Sequence, residues 1–432
     1  MIYDTIKFLN LEGIANKIDE IEVTKNNDIL NFIITLKMNK DCCPSCGSKE
    51  LTVHDYRSKR IKHSISTASD SYIIYKARRY KCKICKHVFY EFNPFARKGD
   101  QTSTYTILSV LNSLRSHTAT FTSVAEQFNL TKQSVMKIFD DYVDCKRKKL
   151  SKVISIDEFY TARISSTKYA CTFLDFETKE IIEVYSSRHY FDLANRMTSI
   201  SDEERKNVEA VVIDMWDSYK NLTKIYFKNA IIAVDSFHVI KHLNDAMIKI
   251  RLKIMNKYNK KTNKLVSNDM YYYMLKKFHY FFVKNYEGIF AGPIKIQKIR
   301  TEWKKDEILK YLLSIDKDLE YAYRLKERYR EFNLTADFDT CENELIGLIN
   351  NFLDSHLEEY RYFGRLLSTW KTEIRNSFKI VNGRRLSNGA IEGVNSRIKT
   401  IIKNANGYSN FGRLRNRIIY SINKNEPILN KK

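Results

Sequence analysis

Three carboxylates in this sequence stand where packing gives no reason for them. Asp157 closes the apolar run Val153-Ile-Ser-Ile, Asp214 closes Glu209-Ala-Val-Val-Ile, and Glu392 lies in Asn388-Gly-Ala-Ile-Glu-Gly-Val-Asn-Ser-Arg-Ile-Lys399. A carboxylate buried at the end of a strand is costly unless a cation or hydrogen bonds satisfy it. Two such strands side by side would aim both aspartates at one Mg2+. Glu158 alternates to the other face of its strand and is not chosen over Asp157. On a helix, Glu392, Lys399 and Lys403 stack within about 40° of one another, with Asn395 beside them. Ile391, Val394, Ile398, Ile401, Ile402 and Ala405 fill an apolar arc about 100° wide. That helix can dock on a sheet and offer Glu392 at the edge of the contact. An exposed Glu/Lys stripe fits the same spacing equally well.

Cysteines make a second constellation. Cys43-Pro-Ser-Cys46 and Cys82-Lys-Ile-Cys85 are two CxxC turns, each aiming two thiolates at one point, and together they complete a tetrahedron of sulfur around a structural Zn2+. Free thiols or a redox pair are the alternatives, but a redox CxxC needs no twin. Cys42 reads as a bystander, and His54, His63 and His87 as less favoured ligands. Arg78, Arg79 and other cations around the pairs could contact phosphates or form an ordinary solvated surface.

Residues 121–139 fit a DNA-binding helix-turn-helix. Thr122 or Ser123 would cap the first helix, Asn129 would turn the chain, and Thr131 would cap the second. Val135, Ile138 and Phe139 face inward, which leaves Lys132, Gln133, Ser134 and Lys137 to meet base edges and phosphates. An ordinary helical hairpin is the competing reading.

The elements that must position these residues follow from periodicity. Residues 1–40 read as a β lead-in, 41–95 as a zinc ribbon and 100–148 as the helix-turn-helix module. Residues 150–240 carry three β runs, a helix and two short buried strands, the order of an RNase H-like sheet. Residues 241–375 read as all-helical, without a strand, and 376–425 return to the catalytic part with the Glu-bearing helix. The fold class expected is therefore multidomain α+β. Lys and Arg total 74 against 51 Asp and Glu, a net +23 that asks for a polyanion. The richness in Lys, Asn, Ile and Tyr suggests an AT-rich coding genome, which inflates the lysine count for reasons unrelated to function. No apolar run approaches the ~18 residues of a membrane span. The start, MIYDTIKFLNLEG, lacks a basic-then-apolar leader, so a cytoplasmic protein without a membrane partner is expected.

Taken together, the chain resembles the ISL-three family of bacterial insertion-sequence transposases over nearly its whole length. The resemblance rests on CPSCG with the later RRYKCKIC, the bihelix, ISIDEF, VVIDMWDSYK, AVDSFHVIKH and NGAIEGVNSRIKTIIKNANGYSNFGRLRNRI. It implies a DDE transposase whose RNase H-like domain is interrupted by an all-α insertion. It carries a catalytic triad onto Asp157, Asp214 and Glu392. Two Mg2+ (or Mn2+) ions would sit there, Asp157 bridging both, Asp214 binding one and Glu392 the other. Asp235 and His238 match a family signature and, with Asn395, Lys399 and Lys403, are expected around the metal ligands and not among them. Asn388 stands where related families have an Arg. In the insertion, Lys249, Arg251, Lys253 and Lys257 form a cationic face, and Trp303 and Trp370 either stack on a flipped or unpaired end base or, the favoured reading, pack in the core. The partners implied are double-stranded DNA, as terminal inverted repeats and target, and a second copy of the chain at synapsis, in a bacterial nucleoid setting. A catalytically inactive DNA-binding regulator and a metal-dependent nuclease without strand transfer are the alternatives.

Overall fold

Near the N-terminus, Asn27 and Asp28 take φ of 46° and 62° and turn strand β1 (Ile18–Asn26) directly back on β2 (Ile29–Leu36). Asn and Asp accept that left-handed backbone at low cost, and a two-residue turn of this kind matches the natural twist of the hairpin. The computed structural model describes residues 2–38, 42–65, 69–161, 164, 167–261, 266 and 268–429. The chain forms two compact units. Unit 1 comprises Met1–Arg147, Phe159–Lys168 and Val394–Lys432, and unit 2 comprises Lys148–Glu158 and Tyr169–Gly393.

In unit 1, helix α1 (Ile2–Phe8) precedes the hairpin, and β3 (Leu51–Lys62), β4 (Asp70–Cys82) and β5 (Val88–Tyr90) complete one sheet. Its order is β1-β2-β4-β3, with β5 also on β4, and β2 runs parallel to β4. The boundary expected near residue 40 therefore falls inside one sheet, because Phe32 and Ile34 of β2 share a core with Ile73 and Tyr75 of β4. Helices α2 (Thr104–Ser113), α3 (Phe121–Gln127) and α4 (Lys132–Tyr142) follow. Thr131 caps α4 as expected, and Asn129 turns the chain at φ 49°. The cap of α3 is Thr120, one turn before Ser123; the two side chains exchange hydrogen bonds with each other's backbone N–H as a capping box, which displaces the expected Thr122 or Ser123.

Unit 2 is built on the sheet β10-β9-β6-β7-β8. Its strands are β6 (Val153–Tyr160), β7 (Tyr169–Asp175), β8 (Ile181–Tyr185), β9 (Ala210–Ile213) and β10 (Ile231–Val234). β6, β9 and β10 are parallel, and β7 and β8 pair antiparallel. Helices α5 (Tyr190–Thr198), α6 (Asp202–Lys206) and α7 (Asp217–Tyr226) lie in the connections. Ile154, Ile156, Val211, Ile213 and Val234 point into the large core, whereas Val153, Ala210, Val212 and Ala233 point into a second one on the other face. That alternation explains why these short runs are strands buried on both sides.

The large core continues into α8 (Ser236–Lys257) and a helical array, α9 (Asp269–Lys277), α10 (Lys305–Ser314), α11 (Lys317–Thr335), α12 (Cys341–Leu353), α13 (Glu358–Thr369) and α14 (Lys371–Asn376). Two expectations for this block need correction. A short hairpin, Ile294–Ile296 with Thr301–Trp303, interrupts it; Trp303 lies across Tyr311 at 5.2 Å and ties the hairpin to α10. Arg251 is not on an exposed cationic face: it is buried and donates to the Leu275 carbonyl at 2.9 Å. Trp370 is buried in the core, as expected.

The last two helices are α15 (Gly389–Asn404), which begins in unit 2 and ends in unit 1, and α16 (Phe411–Ile422). α16 belongs with α2–α4. Tyr420 packs on Phe139 at 5.8 Å, and the buried Arg417 donates to the carbonyls of Ser116 and Ala119, both at 2.8 Å. The segment 376–425, expected to be wholly catalytic, is thus divided between the units. No helix among the described residues is long and apolar enough to cross a membrane.

Candidate metal centre and nucleic-acid interface

Strand register brings the first acidic residues together. Val153 pairs with Ala210 and Ala210 with Ile231, so Asp157, Asp214 and Asp235 each stand four residues further along three adjacent parallel strands. Carboxylate oxygens of Asp157, Glu158 and Asp214 lie within 4.8 Å of one another. So do ligand atoms of Asp235, His238 and Glu392. The two triplets are joined by His238, whose Nε2 is 3.0 Å from Asp214 Oδ1. Among the expected metal ligands, Asp157 and Asp214 are therefore grouped directly, and Glu392 falls in the second triplet.

Glu158 was expected on the opposite face, yet its carboxylate reaches the Asp157 and Asp214 group. Its oxygens are engaged, one by Arg188 Nη1 at 2.6 Å and the other by the Tyr219 hydroxyl at 3.1 Å. Asp235 occupies the N-cap position of α8 without a side-chain cap bond; instead its Oδ1 accepts the Asn388 backbone N–H at 3.0 Å. The Asn388 side chain, fully buried, donates to Asp214 Oδ1 at 3.3 Å. Arg188, Tyr219 and Asn388 carried no site signal in the sequence beyond the position of Asn388 in the family pattern. The partners that give them meaning come from distant parts of the chain.

This crowding of acids has electrostatic consequences. Burial first, and then the charge of Asp214, pushes the Asp157 carboxyl up to about 7. Asp235 is raised by burial and by Asp214 as well. For His238, burial opposes the charged form, but the hydrogen bond to Asp214 and the charges of Asp214, Asp235 and Asp157 outweigh it and raise the imidazole. Asp235 Oδ2 and Asn388 Oδ1 are buried without a hydrogen-bond partner among the described residues. Two buried oxygens without a donor, set beside crowded carboxylates, fit a divalent cation. Further along α15, Asn395 is buried, while Lys399 and Lys403 are exposed.

The four cysteines Cys43, Cys46, Cys82 and Cys85 form one cluster. Cys43 Sγ is 3.5 Å from Cys85 Sγ, and Cys46 Sγ is 3.6 Å from Cys82 Sγ. A tetrahedral ZnS4 site with Zn–S of about 2.3 Å has edges of about 3.8 Å, so the spacing suits zinc. The two knuckles repeat one geometry. Gly47 N–H donates to the Cys43 carbonyl and Lys86 N–H to that of Cys82, with φ of 72° and 64° at the two turn residues. The backbone N–H of Cys85, with that of Ile84, lowers the Cys82 thiol, whereas at Cys46 the Ser48 backbone N–H is outweighed by the crowding of Cys85, Cys82 and Cys43, which raises the thiol; without a cation the four sulfurs share protons. Cys42 lies outside the cluster, and so do the three histidines weighed above. His63 is buried between the Leu9 carbonyl and Ser103.

Of the residues expected to meet DNA, Lys132, Gln133 and Lys137 are exposed on α4, and Ser134 is half-buried. Arg78 is not available. It is 4% exposed, ion-paired with Glu91 at 3.0 Å and bonded to the Leu36 carbonyl, so its charge holds the sheet together. Arg79 is partly exposed and paired with Asp55 at 2.9 Å.

Comparison with known families agrees with this layout. A model described as a transposase, of the DDE type and the ISL3 family, matches residues 154–418. A second, described as the zinc-finger of transposases IS204/IS1001/IS1096/IS1165, matches residues 40–85. The first covers more than half the chain, and the chain belongs to the ISL3 family of transposases. A search of curated proteins gives no match.

Proposed function

We propose that this transposase cuts DNA at the ends of its element and joins the freed 3′-OH to target DNA, at a divalent-metal site held by Asp157, Asp214 and Glu392. The observation that carries the reading is the common register of Asp157, Asp214 and Asp235, with His238 tying Asp214 to the Glu392 group. Antiparallel β7 and β8 beside parallel β6, β9 and β10, followed after a helical insertion by a Glu-bearing helix, support an RNase H-like reading of unit 2. Two Mg2+ or Mn2+ ions bound there supply the charge that activates an attacking oxygen and stabilises the leaving one.

The chain's own residues do the positioning. Asn388 and His238 orient the Asp214 carboxylate by hydrogen bonds. Arg188 and Tyr219 engage both oxygens of Glu158, which leaves Asp157 as the better ligand of the adjacent pair. Asp235 stands close enough to Glu392 and His238 to share in metal binding. No nucleophilic Ser or Tyr is required, because water and then the 3′-OH attack phosphorus. α3 and α4 act as a helix-turn-helix on the terminal inverted repeats, with Lys132, Gln133, Ser134 and Lys137 toward the duplex. Two copies meet at synapsis.

The test uses a labelled element end with Mg2+ or Mn2+, comparing wild type with Asp157→Asn, Asp214→Asn and Glu392→Gln. Cleavage and joining should fall by at least about 100-fold in each, while duplex binding persists. Persistence of both reactions in all three variants refutes the site. Binding without cleavage by wild type identifies a regulator, and cleavage without joining a nuclease.

A further inference from the structure

Unit 1 contains a cleft of about 990 Å³ between the end of β3, the segment after β5 and the loop leading to α2. Its polarity is sorted. The two acids that line it, Glu91 and Asp100, are turned to internal partners. Glu91 accepts from the Tyr75 hydroxyl and the Arg78 backbone, both at 2.8 Å, and from the Arg78 guanidinium. Asp100 accepts from the Tyr142 hydroxyl. The cations Lys59, Arg60, Arg97 and Lys98 also line the cleft. Aromatic rings stand among them. Phe92 is 71% exposed and Tyr90 46% exposed. Lys59 Nζ lies 4.4 Å from the Tyr90 ring centre, and Lys17 Nζ 5.6 Å from that of Phe92.

A phenylalanine so exposed gains the fold little beyond its contact with Lys17, since most of its ring area stays in water. Exposed aromatic rings with cations beside them are what a nucleic-acid strand with unstacked bases recognises: the cations follow phosphates and the rings stack on bases. A duplex hides its base faces and cannot use the rings in this way. We propose that this cleft binds single-stranded DNA, with Phe92 and Tyr90 as stacking platforms and Lys59, Arg60 and Lys98 as phosphate contacts. The assignment rests on the reading that the chain works at DNA ends. It adds a site for an unpaired strand, separate from α4 and from the carboxylates.

The experiment measures anisotropy of a fluorescein-labelled oligo-dT of about 20 nucleotides, and of a terminal-repeat duplex, with the zinc-loaded full chain. Phe92→Ala should weaken oligo-dT binding about 5- to 100-fold and leave duplex affinity within about twofold. Phe92→Trp should restore it. Lys98→Ala should lower the salt dependence on oligo-dT by about one phosphate contact. The proposal is overturned if wild type does not bind oligo-dT, if Phe92→Ala and Tyr90→Ala bind it as wild type does, or if Phe92→Ala weakens duplex and single strand equally. Lys132→Ala with Gln133→Ala serves as the reference: loss of duplex binding alone there keeps the helix-turn-helix reading intact whatever happens at the cleft. Duplex binding unchanged there fails that reading without touching this one.

Discussion

Burial and the charge of Asp214 both press on Asp157, and its pH behaviour should show it. Burial first, and then the charge of Asp214, pushes its carboxyl from the ordinary 3.8 up to about 7. The folded state then holds a proton that the unfolded chain has already lost. The stability this group contributes is complete below 3.8, falls as pH rises toward about 7, and changes little above that. The cost of ionisation is on the order of a few kcal/mol. Asp157→Asn removes it. Without metal, the variant should melt a few degrees above wild type at about pH 8 and gain little at about pH 4. Mg2+ should raise the wild-type melting temperature at the higher pH far more than that of the variant. Equal effects of the substitution at both pH values would show that Asp157 is not strained by its neighbours.

At the level of elements, His63 fastens two parts of unit 1. Its ring bonds the carbonyl after α1 at 2.9 Å and the hydroxyl of Ser103, the N-cap of α2, at 2.8 Å. Burial lowers its pKa from 6.5 to about 4, against a smaller opposing effect of the Leu9 carbonyl. The neutral ring is the stabilising form. Its contribution is complete above 6.5 and is lost as pH falls from there toward about 4. The slope is at most about 1.4 kcal/mol per pH unit. Urea midpoints measured between those limits should fall on acidification, and His63→Gln should flatten that part of the profile while lowering stability at pH 8. A variant with an undiminished acid slope would assign the slope to other groups. The same unit shows why Arg78 cannot serve DNA: removing a buried guanidinium leaves the Glu91 carboxylate buried without its cation, a cost of about 3–5 kcal/mol.

For the whole molecule, the cysteines offer a readout that separates the two units. Cys43, Cys46, Cys82 and Cys85 belong to the zinc cluster of unit 1, whereas Cys171 and Cys341 are buried in unit 2. Chelating the metal should make the four cluster thiols reactive to a maleimide, read by mass spectrometry, while Cys171 and Cys341 stay protected. Cys42, exposed throughout, should react with or without chelator. Labelling of Cys171 and Cys341 at the rate of the cluster thiols would mean that the ribbon's metal holds the entire chain, not one unit. The net charge of +23 also divides by use at this scale. Some cations, such as Arg78, Arg251 and Arg417, are buried in structure, while Lys132, Lys137, Lys98, Lys399 and Lys403 remain exposed.

What could be read from sequence was whatever depends on short range. CxxC spacing fixes where two thiolates point, short apolar runs mark β6 and β9, and an N-cap threonine with a left-handed Asn marks α4 and its turn. Asp157 and Asp214 were legible because a charge interrupting a buried strand is anomalous wherever it occurs. Tertiary structure decided everything that depends on which strands become neighbours. The register across β6, β9 and β10 places Asp235 in line with the two aspartates. The approach of α15 to α8 brings Glu392 to His238 and Asn388 to Asp214, across more than a hundred residues of helical insertion. Burial, likewise, is a property of the assembled fold: Arg78 and Arg251 are as basic in sequence as Lys132, and only the packing around them removes them from solvent.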